Sequence, residues 1–526
     1  MKSVLVFIPS NLPHDKAGYI YGKVLYDYES DSKKFYVMNI EPNNIDGGGF
    51  KLRTDFIGYY CNTTVCNTEY EKKSSDWIHL SLQPLKDHKS TDRDYCLKYV
   101  TVDSKKVNCN SYNTVFIVYD QIALVKAELF KKQSYSGNHF LELKEILERK
   151  MIEDQAKNRN YFNTLKEILL MYIVWFFMYP VIYCCKLTNT LLIVLKYSTL
   201  GLHLNGWLEN IKWTLMKIMD QRKFGVNTMN HVLATILDVT LGILALQLLL
   251  HVIDGLPPSQ ILLDNAEKVV EFLKSLVNWL MGAPAGLKLN HAFNKTLGRF
   301  FLYHIHLWWT FLVFIKPVMD FFFEVLLLFG RLGITFQIAI AADILALVSF
   351  HTYCIYVYAA RLFNIQIRGL TALFRLFLGK KQNPLRERVD SCQYKADQLF
   401  VGTLLFTILL FLMPTTWVYY TVFTSLRLVL IGVGGILTRL RFYFQIIPIY
   451  TFFCWLFGSK RINSSAKLVM KSKHDDGSIT LLMTTVVSPW SDTWAQCIPD
   501  TIKHTPPIEW AMIVKNIFWG QLLYPL

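Results

Sequence analysis

Between residues 167 and 457 the chain carries apolar runs too long for the strands and helices of a small soluble domain. Wound as a helix, about 18 or more apolar residues match the hydrocarbon thickness of a bilayer. Six runs meet or approach that length: "ILLMYIVWFFMYPVIYCC" at 168–185, then 231–253, 300–315, 332–360, 399–420 and 422–437. Composition agrees, with 18% charged residues against about 25% in typical soluble domains. The expected fold is mainly α, a polytopic helical membrane bundle of about six spans. Two further apolar pieces, 188–204 and 442–457, are short or interrupted and read as re-entrant or interfacial. Either changes the parity of the spans.

Residues 1–120 read differently. "SVLVFIP", "YIYGKVLYDY", "KFYVMNI", "WIHLSLQPL" and "VFIVYD" are short β-type runs separated by turn-forming segments. They predict a small amino-terminal α/β domain. Residues 121–166 turn helical and charged and read as a connector into the membrane region 167–457, and 458–526 reads as a tail. The start, "MKSVLVFIPSNLPHD", has an apolar run too short for a signal peptide, so the front domain is expected in the cytosol. The sequon at Asn62 should then carry no sugar.

The net charge of +15 comes from cations that flank apolar segments, which suits the cytosolic face of a membrane. No zinc finger, homeodomain or RNA-binding fingerprint points to nucleic acid. Arg361, Arg368, Arg375, Lys380, Lys381, Arg386, Arg388 and Lys395 crowd residues 361–397, read as a basic cytosolic loop. With 399–420 and 422–437 as a hairpin, the tail and the loop 254–299 are cytosolic too. That count leaves the cations of 186–223 on the lumenal side, an inconsistency that a re-entrant segment there would remove. Residues 264–280 place Ala266, Val269, Val270, Leu273, Leu276, Val277 and Leu280 on one helical face, opposite Glu267, Lys268, Glu271 and Lys274. This is an amphipathic helix, lying on the membrane or on a partner.

The polar residues of "GLKLNHAFNKTLGRFF" are the puzzle. On a helix Asn290, Asn294 and Gly298 share a face, with His291 and Lys295 on the next stripe. Asparagines at a lipid boundary bridge helices and glycine admits close approach, or the same side chains touch a partner or a lipid headgroup. Asp343 lies mid-span, where a carboxylate must be paired, protonated or turned to a cavity. Asp238 and His351 are candidate partners, and interhelical bonding and a lipid site both remain open. His304 and His306, two apart, point to different faces and make a poor metal pair. Pro414 should kink its span, with Thr415 and Thr416 serving the freed carbonyls. The ten cysteines show no metal spacing and read as free thiols. No Walker motif, Gly-x-Ser-x-Gly, zinc triad or nucleotide-sugar fingerprint is visible, so no catalytic residue, metal ligand or cofactor is assigned.

"GAPAGLKLNHAFNKTLGRFFLYHIHLWW" resembles the PIG-Q family, subunit Q of phosphatidylinositol N-acetylglucosaminyltransferase. The likeness continues through "DILALVSFHTYCIYVYAARLF", "LFLGKKQNPLRERVDSC" and "DQLFVGTLLFTILLFLMPTTWVYY", and covers roughly 270–450. His291 departs from it, standing where an arginine is expected in much of the family. The resemblance implies a multi-pass endoplasmic-reticulum protein in a complex that transfers N-acetylglucosamine from UDP-N-acetylglucosamine to phosphatidylinositol on the cytosolic face. That is the first step of glycosylphosphatidylinositol-anchor biosynthesis. It implies a non-catalytic assembly role beside PIG-A, which carries the sugar transfer, and PIG-C, PIG-H, PIG-P and PIG-Y. On this view 282–299 is an elbow that docks partner helices or borders the lipid substrate, and Arg361 to Arg388 lie near anionic headgroups. The rival readings are an autonomous membrane enzyme or lipid carrier using Asp343, His351 and His304, and a solute transporter.

Overall fold

A computed structural model describes residues 3–12, 17–27, 31–42, 56–61, 75–84, 93–102, 105–107, 113–130, 139–157, 161–222, 224–253, 257–282, 284–286, 288–383, 385–473, 477–499, 502 and 507–524. The sequon at Asn62 lies outside them. Eight strands come first: β1 (Ser3–Pro9), β2 (Gly18–Asp27), β3 (Ser32–Pro42), β4 (Phe56–Cys61), β5 (Trp77–Pro84), β6 (Arg93–Val102), β7 (Lys105–Val107) and β8 (Asn113–Tyr119). Helices α1 (Gln121–Lys126), α2 (His139–Lys157), α3 (Tyr161–Thr190), α4 (Leu192–Leu195), α5 (Thr199–Gln221), α6 (Val226–Ile253) and α7 (Pro258–Met281) follow. Then come α8 (His291–Phe314), α9 (Lys316–Phe329) and α10 (Ile334–Phe377), the hairpin β9 (Lys380–Asn383) and β10 (Arg388–Ser391), and α11 (Ala396–Ile446). The chain ends with α12 (Ile449–Leu456), β11 (Ser465–Lys473), β12 (Ile479–Val486), α13 (Trp490–Cys497) and α14 (Trp510–Phe518). Two compact units result, one of residues 1–173, 218–230 and 448–498, the other of 174–217, 231–447 and 499–526.

The first unit is built on a ten-stranded sheet in the order β11-β12-β8-β1-β3-β2-β4-β5-β6-β7. β1 pairs in parallel with β3 and β8, so it is central, and both of its faces are covered. That explains the near-continuous apolar run "SVLVFIP", since a strand buried on both sides has no polar face to alternate with. Val4, Val6, Ile8, Phe35, Val37 and Phe116 form the core on one side. On the other, Phe7, Tyr36, Ile117 and Tyr119 meet Leu124 of α1 and Leu143, Ile146 and Leu147 of α2. α2, from the segment read as a connector, therefore covers a face of the sheet. Residues 465–486, placed in the tail by sequence, supply β11 and β12, and β12 pairs in parallel with β8.

Ion pairs close this unit. Lys34 reaches Asp27 at 3.2 Å and Glu142 at 3.0 Å, and the Tyr36 hydroxyl donates to Glu142 at 2.8 Å. Burial, aided by the Glu142 carboxylate, pushes the Tyr36 hydroxyl well above its ordinary range. Arg461 donates to Glu128 Oε1 from Nε at 2.9 Å and Nη2 at 2.6 Å, and from Nη2 to the Phe224 carbonyl at 3.0 Å. Glu128 Oε2 accepts from the Val226 amide at 2.8 Å. The pair thus ties the chain after α1 to the start of α6 and to the approach to β11. Both side chains are partly exposed, so Glu128→Ala should destabilise by about 2 kcal/mol, between the surface and buried limits. A thermal melt of the full chain measures it.

In the second unit the long helices dominate. Among the described residues four helices are long and apolar enough to cross a membrane: Thr164–Thr190 within α3, and α6, α10 and α11. α8, which holds all but the last residue of the expected span 300–315, is not among them, being interrupted by His291, Lys295, Arg299, His304 and His306. A second difference concerns the expected hairpin of 399–420 and 422–437. These segments belong to one unbroken helix, α11. "MPTTWVYYTVFT" has no glycine or turn cluster, and its Thr415, Thr416, Tyr419, Tyr420 and Phe423 form one buried face that holds the helix through Pro414. Likewise 361–377 is the second half of α10 rather than loop, leaving only the β9–β10 turn region outside helix. At 1.5 Å per residue α10 and α11 are about 66 Å and 77 Å long, twice a bilayer core of about 30 Å.

The amphipathic reading of 264–280 falls within α7. Ala266, Val270, Leu273, Val277 and Leu280 join a core with Phe301, Ile305 and Trp308 of α8, Tyr356 and Phe363 of α10 and Tyr419 and Tyr420 of α11. Val269, assigned to the same face, is exposed.

Candidate functional site

Asn294, one turn into α8, is 2% exposed. Its amide donates to the carbonyls of Leu280 at 3.1 Å and Met281 at 3.0 Å, and its oxygen accepts from the Tyr419 hydroxyl at 2.8 Å. One side chain therefore joins α7, α8 and α11. The two carbonyls belong to the last turn of α7, where helix geometry leaves acceptors without internal donors. Asn290 performs the complementary task for α8, its side chain accepting from the Phe293 amide at 3.2 Å while its own amide donates to Thr415 Oγ1 at 3.3 Å. Gly298 lies beneath Met281, and a Cβ there would overlap the Met281 side chain and meet the Tyr419 hydroxyl at 3.1 Å. Asn290, Asn294 and Gly298 are thus brought together at one junction. His291 is exposed on the first turn of α8, and His304 sits between Phe300 and Tyr358 with Nδ1 2.9 Å from the Phe300 carbonyl.

Asp343 lies elsewhere in the same unit, and its partners are neither Asp238 nor His351. It accepts from Ser198 Oγ at 2.6 Å, the Thr199 amide at 2.8 Å, Thr199 Oγ1 at 2.6 Å and the Leu200 amide at 3.1 Å. Those are the first donors of α5, so a carboxylate from α10 caps a different helix. Asp238 of α6 does the same for α10, accepting from the Thr335 amide at 2.9 Å and Thr335 Oγ1 at 2.6 Å. Gly333 permits this approach, because a Cβ there would collide with the Asp238 carboxylate. Since the Thr335 hydroxyl donates to Asp238, it must accept from His203 Nε2, 3.1 Å away. His203 Nδ1 is then left to accept from Gln445 Nε2, also at 3.1 Å. A neutral imidazole is the form that completes this chain from α11 to α6. His351 sits against Phe311 and Phe350 instead.

Sequence reading missed this cluster because its members are far apart along the chain. Only Gly333 followed by Thr335 at a helix start hinted at a cap. Pro414 stays within α11; Thr416 donates to the Leu412 carbonyl at 3.3 Å, whereas Thr415 accepts from Asn290. The cations sort into two groups. Arg361, Arg368 and Arg375 stand seven apart on α10, while Lys380, Lys381, Arg386 and Arg388 surround the β9–β10 turn, where Arg388 meets Asp390 at 2.8 Å. Among the described residues no three His, Cys, Asp or Glu side chains converge to hold a metal ion.

A family model described as "N-acetylglucosaminyl transferase component (Gpi1)" matches residues 201–464, half of the chain. The chain belongs to the Gpi1 family. The match holds both capping carboxylates, the Asn290–Asn294–Gly298 junction and the α10–α11 pair. Among curated members of the Gpi1 family, phosphatidylinositol N-acetylglucosaminyltransferase subunit Q of Mus musculus is 43% identical over 300 residues, 56% of this chain and 51% of that protein. Subunit Q of Homo sapiens is 49% identical over 228 residues, 42% of this chain and 29% of that protein. Subunit GPI1 of Saccharomyces cerevisiae is 30% identical over 232 residues, 42% of this chain and 38% of that protein. The chain thus spans about half the length of the mouse relative and less of the others. No solved structure matches it.

Proposed function

We propose that this chain is a non-catalytic assembly subunit of the complex that transfers N-acetylglucosamine from UDP-N-acetylglucosamine to phosphatidylinositol, opening glycosylphosphatidylinositol-anchor biosynthesis. The names of its Gpi1-family relatives supply the reaction. The observation that carries the assembly role is the bonding of Asn294, whose donors and acceptor all serve helix junctions. Asp343 supports it, with four donors from Ser198, Thr199 and Leu200 at the start of α5 converging on one carboxylate. Donor-sugar chemistry then belongs to a partner, the PIG-A subunit, with PIG-C, PIG-H, PIG-P and PIG-Y completing the assembly in the endoplasmic-reticulum membrane.

The basic β9–β10 turn fits a cytosolic, headgroup-facing position. Leu385 at its tip is 94% exposed beside Arg386 and Arg388, an apolar point ringed by cations. Each cation near an anionic surface contributes about 1 kcal/mol. In this reading the amino-terminal domain is cytosolic. The rival, an autonomous enzyme or lipid transporter using Asp343 and His351, has less support, because the Asp343 carboxylate is already engaged by α5.

Reconstitution tests the proposal. Purified alone in phosphatidylinositol-containing vesicles, the chain is expected to transfer no sugar from the nucleotide donor. Added to a complex depleted of it, it should restore both turnover and subunit recovery. Robust turnover by the isolated chain would rule out the assembly reading.

A further inference from the structure

Arg427, past the middle of α11, is 8% exposed and has no counter-charge. Its guanidinium lies over the Tyr353 ring of α10, 4.5 Å from the centroid. Among the described residues its ionisable neighbours are the phenols of Tyr353 and Tyr356, and none of its N–H groups has a hydrogen-bond acceptor.

The other buried cations are not treated this way. Lys33 meets Asp76 at 2.6 Å, Lys34 meets Glu142 at 3.0 Å, and Lys144 donates to the Ala127 carbonyl at 2.5 Å. Further along α11, Arg441 donates to the Thr199 carbonyl at 3.5 Å, with the Asp343 carboxylate nearby. The carboxylates of Asp343 and Asp238 are themselves engaged by helix starts. A buried charge without a partner is strongly destabilising, and one ring face returns only part of the loss. The guanidinium requires an anion that none of the described residues supplies.

Its surroundings select the kind of anion. Nε is enclosed, so the Nη edge is the side left to reach. Leu428 beside it is exposed, and Leu430 and Ile431, one turn on, are half-buried. Gly434 is seven residues on and so on the same face, and a Cβ there would meet no atom within 4 Å. The approach to the guanidinium is therefore open and apolar, on a helix long and apolar enough to cross a membrane. A bare ion from water leaves those apolar walls uncovered, whereas an anion that carries acyl chains covers them. A phosphodiester also offers two oxygens to the two-pronged guanidinium. We infer that Arg427 anchors a phospholipid site, its Nη groups holding the phosphodiester of a glycerophospholipid. This goes beyond the assembly reading, because the anion is required whichever subunit moves the sugar.

Thermal melts of the full chain in uncharged, lipid-free detergent test this. Phosphatidylinositol should raise the midpoint, while diacylglycerol, with the same tails and no phosphate, should not. Arg427→Met removes the unmatched charge at similar volume. Without lipid it should melt above the unsubstituted chain, and it should gain nothing from phosphatidylinositol. Arg427→Lys keeps the charge but loses the fork, and should gain less than the unsubstituted chain. A second measurement needs no variant. In the intact complex in its membrane, phosphatidylinositol with a diazirine at the head of an acyl chain should label residues 353–356 of α10 or 424–431 of α11. Equal shifts from phosphatidylinositol and diacylglycerol, an undiminished shift in Arg427→Met, or a full shift from inorganic phosphate alone would overturn the phospholipid site. So would a complex in which no label reaches these residues, the result expected if a carboxylate of another subunit fills the place.

Discussion

Asn294→Asp should be as damaging as Asn294→Ala, each destabilising the helical unit by about 3 kcal/mol, although the first is nearly isosteric. The reason is donor count. A carboxylate has no N–H for the Leu280 and Met281 carbonyls, so these two acceptors at the end of α7 would face a charged acceptor in place of their donor. A buried polar group left without its partner costs about 1–3 kcal/mol, and two carbonyls are affected. Tyr419→Phe removes only the third bond of the knot and should cost about 1 kcal/mol. Thermal midpoints of the purified complex give the ranking, with Asn294→Gln as a control that keeps both donors but displaces them. An Asn294→Asp protein as stable as the unsubstituted one would mean that the junction of α7, α8 and α11 is not held by these bonds.

The membrane character of the chain and its amino-terminal sheet were legible because each rests on local pattern. Apolar run length marks α3, α6, α10 and α11, and β-type runs bounded by turns mark β1 to β8. Helix continuity was not legible in the same way. A hairpin turn was expected between the runs 399–420 and 422–437, but the buried face Thr415–Tyr419–Phe423 carries one helix past both Pro414 and that junction, against α8 and α10. At the candidate site, Asn290, Asn294 and Gly298 were readable as a unit because helical spacing alone aligns them. The Asp343 partners were not, since Ser198 and Thr199 lie some 145 positions earlier, within the ambiguous segment 188–204. β11 and β12 joined the sheet from the far end of the chain for the same reason.

A common principle underlies the polar residues scattered through the apolar unit. Each helix that starts or stops inside a bundle leaves backbone groups without partners, and in apolar surroundings water does not supply them. α7 ends, α8 starts, α5 starts and α10 starts within this unit. Asn294, Asn290, Asp343 and Asp238 respectively serve those four ends. Polar chemistry pushed into a bilayer protein is here the consequence of broken helices. Each cap comes from a neighbouring helix except that of Asn290, so capping and helix packing are one event.

This separates a scaffold from a reactive centre in an experiment on Asp343. Alanine there strips an acceptor from two hydroxyls and two amides at the start of α5 and should destabilise by about 3–4 kcal/mol. Asparagine keeps one oxygen and so should retain two of the four donors, for a loss of about 1–2 kcal/mol. Ser198→Ala, which removes a single donor, should cost about 1 kcal/mol. Sugar transfer by the complex should follow that same graded order when assayed near the thermal midpoint, and should be near normal for Asp343→Asn well below it. A proton-handling carboxylate behaves otherwise, because asparagine neither gives nor takes the proton and fails as fully as alanine. Asp343→Asn and Asp343→Ala complexes that are both intact, both stable and both inactive would therefore move Asp343 from capping to chemistry. The graded outcome would instead tie the loss of activity to the loosening of α5 from α10.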